Sequence, residues 1–161
     1  MNAAVIQTPI GPVYMEAEAG RLTRLFTNTD RTDPAPEGGV LREAQRQLGE
    51  YFAGTRTRFA LPLHEQGTAF EQAVWARLKA IPYGETTTYA QIARELGSSP
   101  RAVGRANGRN QLSIIVPCHR VIGTDGSLTG YAGGIPVKRA LLAHEQMAGA
   151  GRLSEPPGVA S

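Results

Sequence analysis

Three helix-start signals in the second half of the chain constrain its fold more than any other feature of the sequence. Thr68, followed three residues later by Glu71, forms a capping box in which the two residues satisfy backbone N–H groups of the first turn. Thr88 precedes a second helical run, and Ser99-Pro100 suits the N-cap and first position of a third. The predicted helices are residues 69–81, Tyr89–Leu96 and Arg101–Asn107.

The last two of these helices have the form of a helix-turn-helix. Gly97-Ser98-Ser99 joins them, and in such units the second helix usually enters a groove of duplex DNA. Ala102, Gly104 and Ala106 are small, so this helix can approach a sugar-phosphate backbone closely but has few side chains to read bases. Two packed helices that bind no DNA give the same pattern, and that alternative stays open here.

The first part of the chain predicts a small α/β scaffold. Three strand-like runs, Ala3–Thr8, Val13–Ala17 and Leu22–Thr27, are separated by turn residues and indicate an antiparallel meander. Val40–Phe52 has helical spacing, and Arg58–Leu63 can return to the sheet. We therefore expect an α/β N-terminal domain over residues 1–66 and a mainly α C-terminal domain with the helix-turn-helix over 67–147. Residues 148–161, rich in Gly, Ala and Pro, are predicted to be disordered.

The candidate for chemistry lies in the apolar stretch Ile114–Gly123. It holds Cys118, the only cysteine, followed at once by His119 and Arg120. The stretch predicts a buried strand that ends or turns at Pro117. A lone cysteine is most often a small buried hydrophobe. The polar Cys-His-Arg triplet inside an apolar run instead favours a functional thiol.

Composition excludes several classes of protein. The 161 residues include one cysteine and three scattered histidines, so neither an internal disulfide nor a typical zinc site is expected. No apolar run approaches the roughly 20 residues that span a bilayer. Met1–Ala4 have neither the basic region nor the apolar core of a secretion signal. We expect a cytoplasmic protein with no metal, no cofactor and no membrane contact.

The charge distribution points to a polyanionic partner. The net charge is +3, and the segment from Thr86 to Gly123 contains five arginines but only one acidic residue, a glutamate. Arginine without lysine, clustered beside the cysteine, favours phosphate recognition over a merely solvated surface. The arginines are Arg94, Arg101, Arg105, Arg109 and Arg120.

Five sequence blocks carry a resemblance to a known family. They are Arg101-Ala102-Val103-Gly104, Asn107-Gly108-Arg109-Asn110, Pro117-Cys118-His119-Arg120, Gly130-Tyr131-Ala132-Gly133-Gly134 and Leu141-Leu142-Ala143-His144-Glu145. In this order and spacing they resemble the O6-alkylguanine-DNA alkyltransferase family, from about Thr68 to Glu145. The resemblance is weaker before residue 67. It implies an α/β N-terminal domain and a helical C-terminal domain that carries the site.

The resemblance also implies the catalytic roles. Cys118 would accept the alkyl group, and His119 would take its proton through a water. Glu145 would orient the imidazole, and Asn110 would hold the turn that carries the cysteine. Because the product is a thioether and no second cysteine can resolve it, each molecule should react once.

Further residues are assigned by the same resemblance to substrate and DNA. Tyr89, Tyr131, Ala132 and Val121 would line the pocket of the flipped guanine. Arg101 would be the finger inserted into the duplex. The small or basic side chains of four other residues, apart from the resemblance, predict contacts with the DNA backbone: Ala102, Gly104, Arg105 and Arg109. The expected partner is double-stranded DNA that contains O6-alkylguanine, with O4-alkylthymine as a further candidate, and we expect a monomer.

Three rival functions are weighed against this one. An alkyltransferase-like protein that binds lesions without reacting would lack the nucleophile, whereas Cys118 is present. A Cys-His hydrolase would leave the arginine-rich helix pair unexplained. A helix-turn-helix regulator is disfavoured by the small residues of the second helix.

Overall fold

A three-stranded antiparallel sheet opens the chain, and one helix covers it. The strands are β1, Asn2–Thr8, β2, Gly11–Glu18, and β3, Arg21–Thr27, in the spatial order β1-β2-β3, and the helix is α1, Gly39–Phe52. The computed structural model describes residues 2–128, 131 and 133–153, with side chains through residue 147. The predicted meander and its helix are confirmed.

The strand sequences alternate because one face of the sheet is buried. In the antiparallel register Ala4 lies opposite Met15, and Met15 lies opposite Leu25, with all three side chains fully buried. The tight turns between strands contain Gly11 and Gly20 at φ 99° and 77°, a region that residues with a Cβ rarely adopt. The buried face lies in one core with the apolar stripe of α1.

The segment predicted to return to the sheet does so through one bridge. Leu22 N donates to Pro62 O at 2.9 Å, and His64 N donates to Leu22 O at 2.9 Å, so Leu63 pairs with Leu22 in the parallel sense. This bridge places the segment along the outer edge of β3.

The segment before the cysteine is attached to the same edge. Leu25 N donates to Gln111 O at 2.8 Å, and Ser113 N donates to Leu25 O at 3.1 Å. One cluster of buried apolar side chains contains residues of both predicted domains, Leu25 and Leu112 among them. The boundary between residues 66 and 67 stays a prediction.

Three helices follow, and each begins where its cap predicts. They are α2, Ala69–Lys79, α3, Tyr89–Leu96, and α4, Pro100–Gly108, with the short strand β4, Thr87–Thr88, before α3. The caps Thr68, Thr88 and Ser99 each accept a backbone N–H of their helix, and Thr68 completes a capping box with Glu71. Gly97, at φ 64°, ends α3 in the left-handed region.

The helix pair α3–α4 is supported from below by α2. Trp75 is buried, and its indole N–H donates to the carbonyl of Ala106 at 2.9 Å, as expected for a core residue. On α4, Val103, Ala106 and Asn107 are buried, whereas Arg101 and Arg105 are exposed. One side of α4 is thus in the core, and the basic side faces solvent.

The predicted strand over Ile114–Gly123 is wrong for most of its length. Cys118–Arg120 form a 3-10 turn, and only β5, Val121–Ile122, is a strand, paired in parallel with β4. Ile114 adopts φ 73°, and Pro117 adopts φ −80° and ψ 67°, so the backbone cannot continue extended through them. The Cys-His pair is therefore held by a turn and not by a strand.

The last helix, α5, spans Ile135–Leu153. It extends past residue 148, where the composition predicts disorder, because adding residues to a formed helix costs little compared with starting one. Residues 154–161 of that predicted tail lie outside the described residues.

Candidate active site

The 3-10 turn holds Cys118 in a buried position, with 5% of the residue exposed. Asn110 ties together the chain that leads into the turn: its Nδ2 donates to Val116 O at 2.8 Å, and its Oδ1 accepts from Leu112 N at 2.9 Å. Asn107 donates to the carbonyl of Cys118 at 3.4 Å. Two buried amide side chains thus fix the backbone around the thiol.

Burial raises the pKa of the Cys118 thiol above its ordinary value. A hydrogen bond with Asn110 and the positive charge of Lys138 oppose that rise but do not cancel it. The resting group is a thiol at neutral pH. Since the thiolate is the nucleophile, the site needs a base.

His119 follows Cys118 in the turn and is held by Glu145. Its Nε2 lies 2.7 Å from Glu145 Oε2, and its side chain is fully buried. Burial lowers the pKa of His119, with the Glu145 carboxylate opposing the effect, so the imidazole is neutral at pH 7. From this contact we assign the proton to Nε2, which leaves Nδ1 as the basic nitrogen. Nδ1 is buried and has no hydrogen-bond partner among the residues that the structure describes.

The Glu145 carboxylate accepts hydrogen bonds from three side chains. Its Oε2 accepts from His119 and from the Tyr51 hydroxyl at 2.5 Å, while Arg120 donates to both carboxylate oxygens. Burial by itself would raise the pKa of Glu145, but the bonds from His119 and Arg120 hold it well below its usual range. The carboxylate is therefore ionised and fixed.

The structure corrects the reading of Arg120 as a phosphate-binding arginine. Arg120 is only 6% exposed, and its Nη1 donates to the carbonyl of Ile81 at 2.7 Å. Its guanidinium also lies 5.7 Å from the ring centroid of Tyr83. A count of charges along the sequence does not separate a buried arginine from an exposed one.

The residues assigned to the guanine pocket lie on several elements around the thiol. Tyr89 begins α3, Val121 is fully buried in β5, and Tyr131 is 8% exposed. A Cβ built on Gly133 would lie 2.8 Å from the Tyr131 ring, so there is no room for a side chain at position 133. Ala132 lies outside the described residues.

Lys138 is a site residue that the sequence analysis missed. It is fully buried on α5, its Nζ lies 3.5 Å from the Tyr89 hydroxyl, and its charge acts on Cys118. Burial lowers the pKa of its ammonium group. Lys138, Leu141 and Glu145 are spaced i, i+3, i+7, so helical periodicity could have placed the lysine on the Glu145 face.

The basic side of α4 lies beside the site. A Cβ on Gly104 would lie 3.9 Å from the Tyr89 ring, so the small residues of α4 border the assigned pocket. Ala102 is partly buried next to exposed Arg101. Arg109 is 72% exposed, and its Nε lies 3.5 Å from Glu71. The three arginines among these DNA-binding candidates, Arg101, Arg105 and Arg109, are all exposed on α4 or directly after it.

A separate cavity of about 580 Å³ lies between the segment 57–63 and the end of α2. Its lining includes Pro117 and Arg120 but not Cys118, Tyr89 or Tyr131. The cavity is therefore not the space in front of the thiol.

Within residues 2–128, 131 and 133–153, no cluster of three or more His, Cys, Asp or Glu side chains could hold a metal ion. In the same part of the chain, no helix is both long and apolar enough to cross a membrane.

Comparisons with known proteins agree with this architecture. The model of the 6-O-methylguanine DNA methyltransferase DNA-binding domain matches residues 69–147. The methylated-DNA–protein-cysteine methyltransferase of Mycobacterium tuberculosis strain H37Rv is 49% identical over 148 residues, which is 88% of this chain and 90% of the relative. The constitutive enzyme of Bacillus subtilis is 48% identical over 147 residues, or 84% and 89% of the two chains.

Solved structures show the same fold. The crystal structure of Mycobacterium tuberculosis OGT in complex with DNA superposes with a TM-score of 0.81 at 48% identity, and covers 91% of this chain and 93% of that one. An O6-methylguanine DNA methyltransferase from Methanococcus jannaschii gives a TM-score of 0.64 at 31% identity over 89% and 93% of the chains.

The fold combines a small α/β scaffold with a helix-turn-helix, and beside this unit lie a buried cysteine and a His–Glu pair. These features are typical of a protein that reacts through a cysteine next to a surface suited to DNA. Among such proteins, this chain belongs to the 6-O-methylguanine DNA methyltransferase family.

Proposed function

We propose that this protein repairs DNA by direct reversal, moving the alkyl group of O6-alkylguanine to Cys118. The observation that carries the proposal is the position of His119, whose Nε2 contacts Glu145 while its buried Nδ1 has no hydrogen-bond partner in the described part of the chain. That nitrogen can take the thiol proton through a water. The relatives named as methylated-DNA–protein-cysteine methyltransferases support the same chemistry.

In the proposed reaction the thiol proton passes to His119 Nδ1, and the thiolate attacks the alkyl carbon in line with its bond to O6. The S–C bond forms and the C–O bond breaks, with the electron pair staying on guanine, which then takes up a proton. The Glu145 carboxylate stabilises the imidazolium during the step. Tyr89 lies at the assigned pocket and can donate to the departing base.

The proposed substrate is double-stranded DNA, because a guanine in the stack is out of reach of a buried thiol. Flipping the base costs a few kcal/mol, and less where the lesion already weakens pairing. Arg101, exposed at the first turn of α4, would fill the gap and offset part of that cost. Ala102 and Gly104 would let α4 approach the backbone, with Arg105 and Arg109 on phosphates. The relative crystallised with DNA supports this partner.

The proposal includes a single turnover. The product thioether is a poor leaving group, and the sequence has no second cysteine to resolve it. We further propose that the protein acts as a monomer in the cytoplasm, where its free thiol stays reduced.

Mass spectrometry tests the function directly. After incubation with duplex DNA that carries one O6-methylguanine, a peptide containing Cys118 should gain the mass of one CH2 unit. Transfer to any other residue, or none, would reject the proposal. A Cys-His hydrolase would instead release acid from a chromogenic ester, and a non-reactive lesion-binding protein would bind the DNA without gaining mass.

A further inference from the structure

Tyr51, in the N-terminal part of the protein, contacts the Glu145 carboxylate that holds His119. We call Cys118, His119 and Glu145 the relay. Tyr51 lies near the end of α1, is fully buried, and donates from its hydroxyl to Glu145 Oε2 at 2.5 Å. The same oxygen accepts from His119 Nε2 at 2.7 Å. A phenol from α1 and the imidazole thus share one carboxylate oxygen.

We propose that Tyr51 is a positioning residue of the alkyl transfer: its hydroxyl fixes the Glu145 carboxylate and withdraws negative charge from the oxygen that His119 contacts. The inference rests on the proposed function of Cys118 and His119. It extends the relay beyond the helical domain to a residue for which the sequence gives no catalytic signal.

The surroundings of Tyr51 hold the phenol rigidly. Its ring packs edge-on against Phe52 and Tyr83, with centroids 5.0 and 6.0 Å away, and lies 5.5 Å from Phe59. His144 of α5 adds a ring contact at 5.0 Å, and its Nε2 lies 2.7 Å from the carbonyl oxygen of Tyr51. Since these contacts belong to the ring and backbone, a phenylalanine would keep them and lose only the hydroxyl.

The charges around this carboxylate set the direction of the effect. Arg120 donates to both Glu145 oxygens, and Lys138 on α5 faces the thiol. Burial and the Glu145 charge raise the pKa of Tyr51, so its hydroxyl stays a donor at every accessible pH. His144 and Tyr83 border Tyr51 through contacts between their rings.

Loss of the Tyr51 donor should make Glu145 Oε2 more negative. A more negative oxygen stabilises the imidazolium of His119 and therefore raises the pKa of this histidine. On the acid side of neutrality, less His119 is then neutral and able to accept the thiol proton. The acid limb of the pH–rate profile should therefore move to higher pH, with the rate recovering as the pH rises.

Tyr51→Phe tests this, with Tyr14→Phe as the matched control. Tyr14 lies on β2, in the N-terminal part that also contains Tyr51, and likewise donates to a carboxylate, that of Glu16. The pH dependence of single-turnover reaction with free O6-benzylguanine and the titration of 15N-labelled His119 are measured for both. In Tyr51→Phe the acid limb of the pH–rate profile and the titration midpoint of His119 should both move up by about half a pH unit to one pH unit. Tyr14→Phe should match the wild type.

Equal slowing of Tyr51→Phe at every pH, with an unchanged His119 midpoint, would overturn the inference and leave Tyr51 a packing residue. If Tyr51→Phe does not fold, 3-fluorotyrosine placed at position 51 alone decides the matter. It is a stronger donor, so both midpoints should move down, and no movement would also overturn the inference. Failure of the proposed function shows separately, as wild-type protein that gains no alkyl group on Cys118.

Discussion

Arg120 holds Glu145 through two parallel hydrogen bonds inside the protein, from Nε to Oε1 at 2.8 Å and from Nη2 to Oε2 at 3.0 Å. Both side chains are almost fully buried. The arginine that follows the Cys-His pair in the sequence therefore neutralises the relay carboxylate. An unpaired carboxylate at this place would carry a heavy desolvation cost.

Arg120→Met should destabilise the fold, because it leaves Glu145 buried with only neutral donors. Breaking a buried pair from one side typically costs about 3–5 kcal/mol in the free energy of unfolding. Urea denaturation measures the loss. Arg94→Met, at an exposed arginine of α3, is the control and should change stability by no more than about 0.5 kcal/mol. Similar small losses in both variants would contradict the buried pairing.

The reaction should stop after one alkyl group per molecule. With O6-methylguanine DNA in excess, repaired product should plateau at one equivalent of protein, as followed by chromatography of the digested DNA. Cys118→Ala should abolish transfer and retain DNA binding, because the exposed arginines of α4 are untouched. Continued turnover beyond one equivalent would show that the thioether is not the end product.

Glu145→Gln should shift the pH–rate profile of the reaction with free O6-benzylguanine. Without the carboxylate the imidazolium of His119 is no longer stabilised, so the thiol gives up its proton less readily and the apparent pKa of Cys118 rises. The rate should fall at neutral pH and recover partly at higher pH. An unchanged profile would mean that the His119–Glu145 contact plays no part in activating the thiol.

Glu145 should also contribute to acid sensitivity. Its folded pKa is depressed, so the stability it provides is present above the ordinary glutamate pKa of about 4.3 and is lost as the pH falls below it. Urea midpoints of wild type and Glu145→Gln should therefore converge between about pH 6 and pH 3. The comparison is made at constant ionic strength, and midpoints that keep a constant separation would contradict the depressed pKa.

Arg101→Ala should separate base flipping from chemistry. If Arg101 stabilises the flipped state, its loss should slow repair of duplex DNA about 10- to 100-fold, which corresponds to about 1.4–2.8 kcal/mol. Free O6-benzylguanine needs no flipping and should react at nearly the wild-type rate. Equal impairment with both substrates would place Arg101 in the active site or the fold instead.

Arg105→Ala should act on DNA affinity alone. Arg105 is exposed one turn after Arg101 on the same side of α4. As a phosphate contact it should weaken binding to all duplex sequences and reduce the slope of log K against log salt by about one. Binding titrations at several salt concentrations measure the slope, and an unchanged slope would remove Arg105 from the interface.

Local signals predicted the helices well because their causes are local. Thr68, Thr88 and Ser99 each bond to the first turn of their own helix, so a few neighbouring residues decide where the helix begins. The strand predicted across Cys118 failed for a less local reason. Asn110 bonds to Val116 and Leu112 from outside the apolar stretch and holds it in a turn.

The candidate site was predictable only in part. Cys118, His119 and Glu145 follow from the resemblance, and the structure brings His119 and Glu145 into contact. The role of Tyr51 could not be predicted from the sequence, because its contact with Glu145 depends on how the sheet and the helices pack. Neither segment carries a sequence pattern that indicates this contact. Burial, which turns Arg120 inward, is likewise a property of the packed molecule.

The outer edge of β3 is covered by backbone from two later segments, with Leu22 bonded to Pro62 and His64, and Leu25 to Gln111 and Ser113. A truncated chain that ended before residue 60 would keep the three strands but lose both of the segments that bond to β3. Its β3 would then present unpaired N–H and C=O groups along a strand with one apolar face, which is a template for edge-to-edge aggregation. The segment that carries the cysteine thus also protects the sheet from self-association.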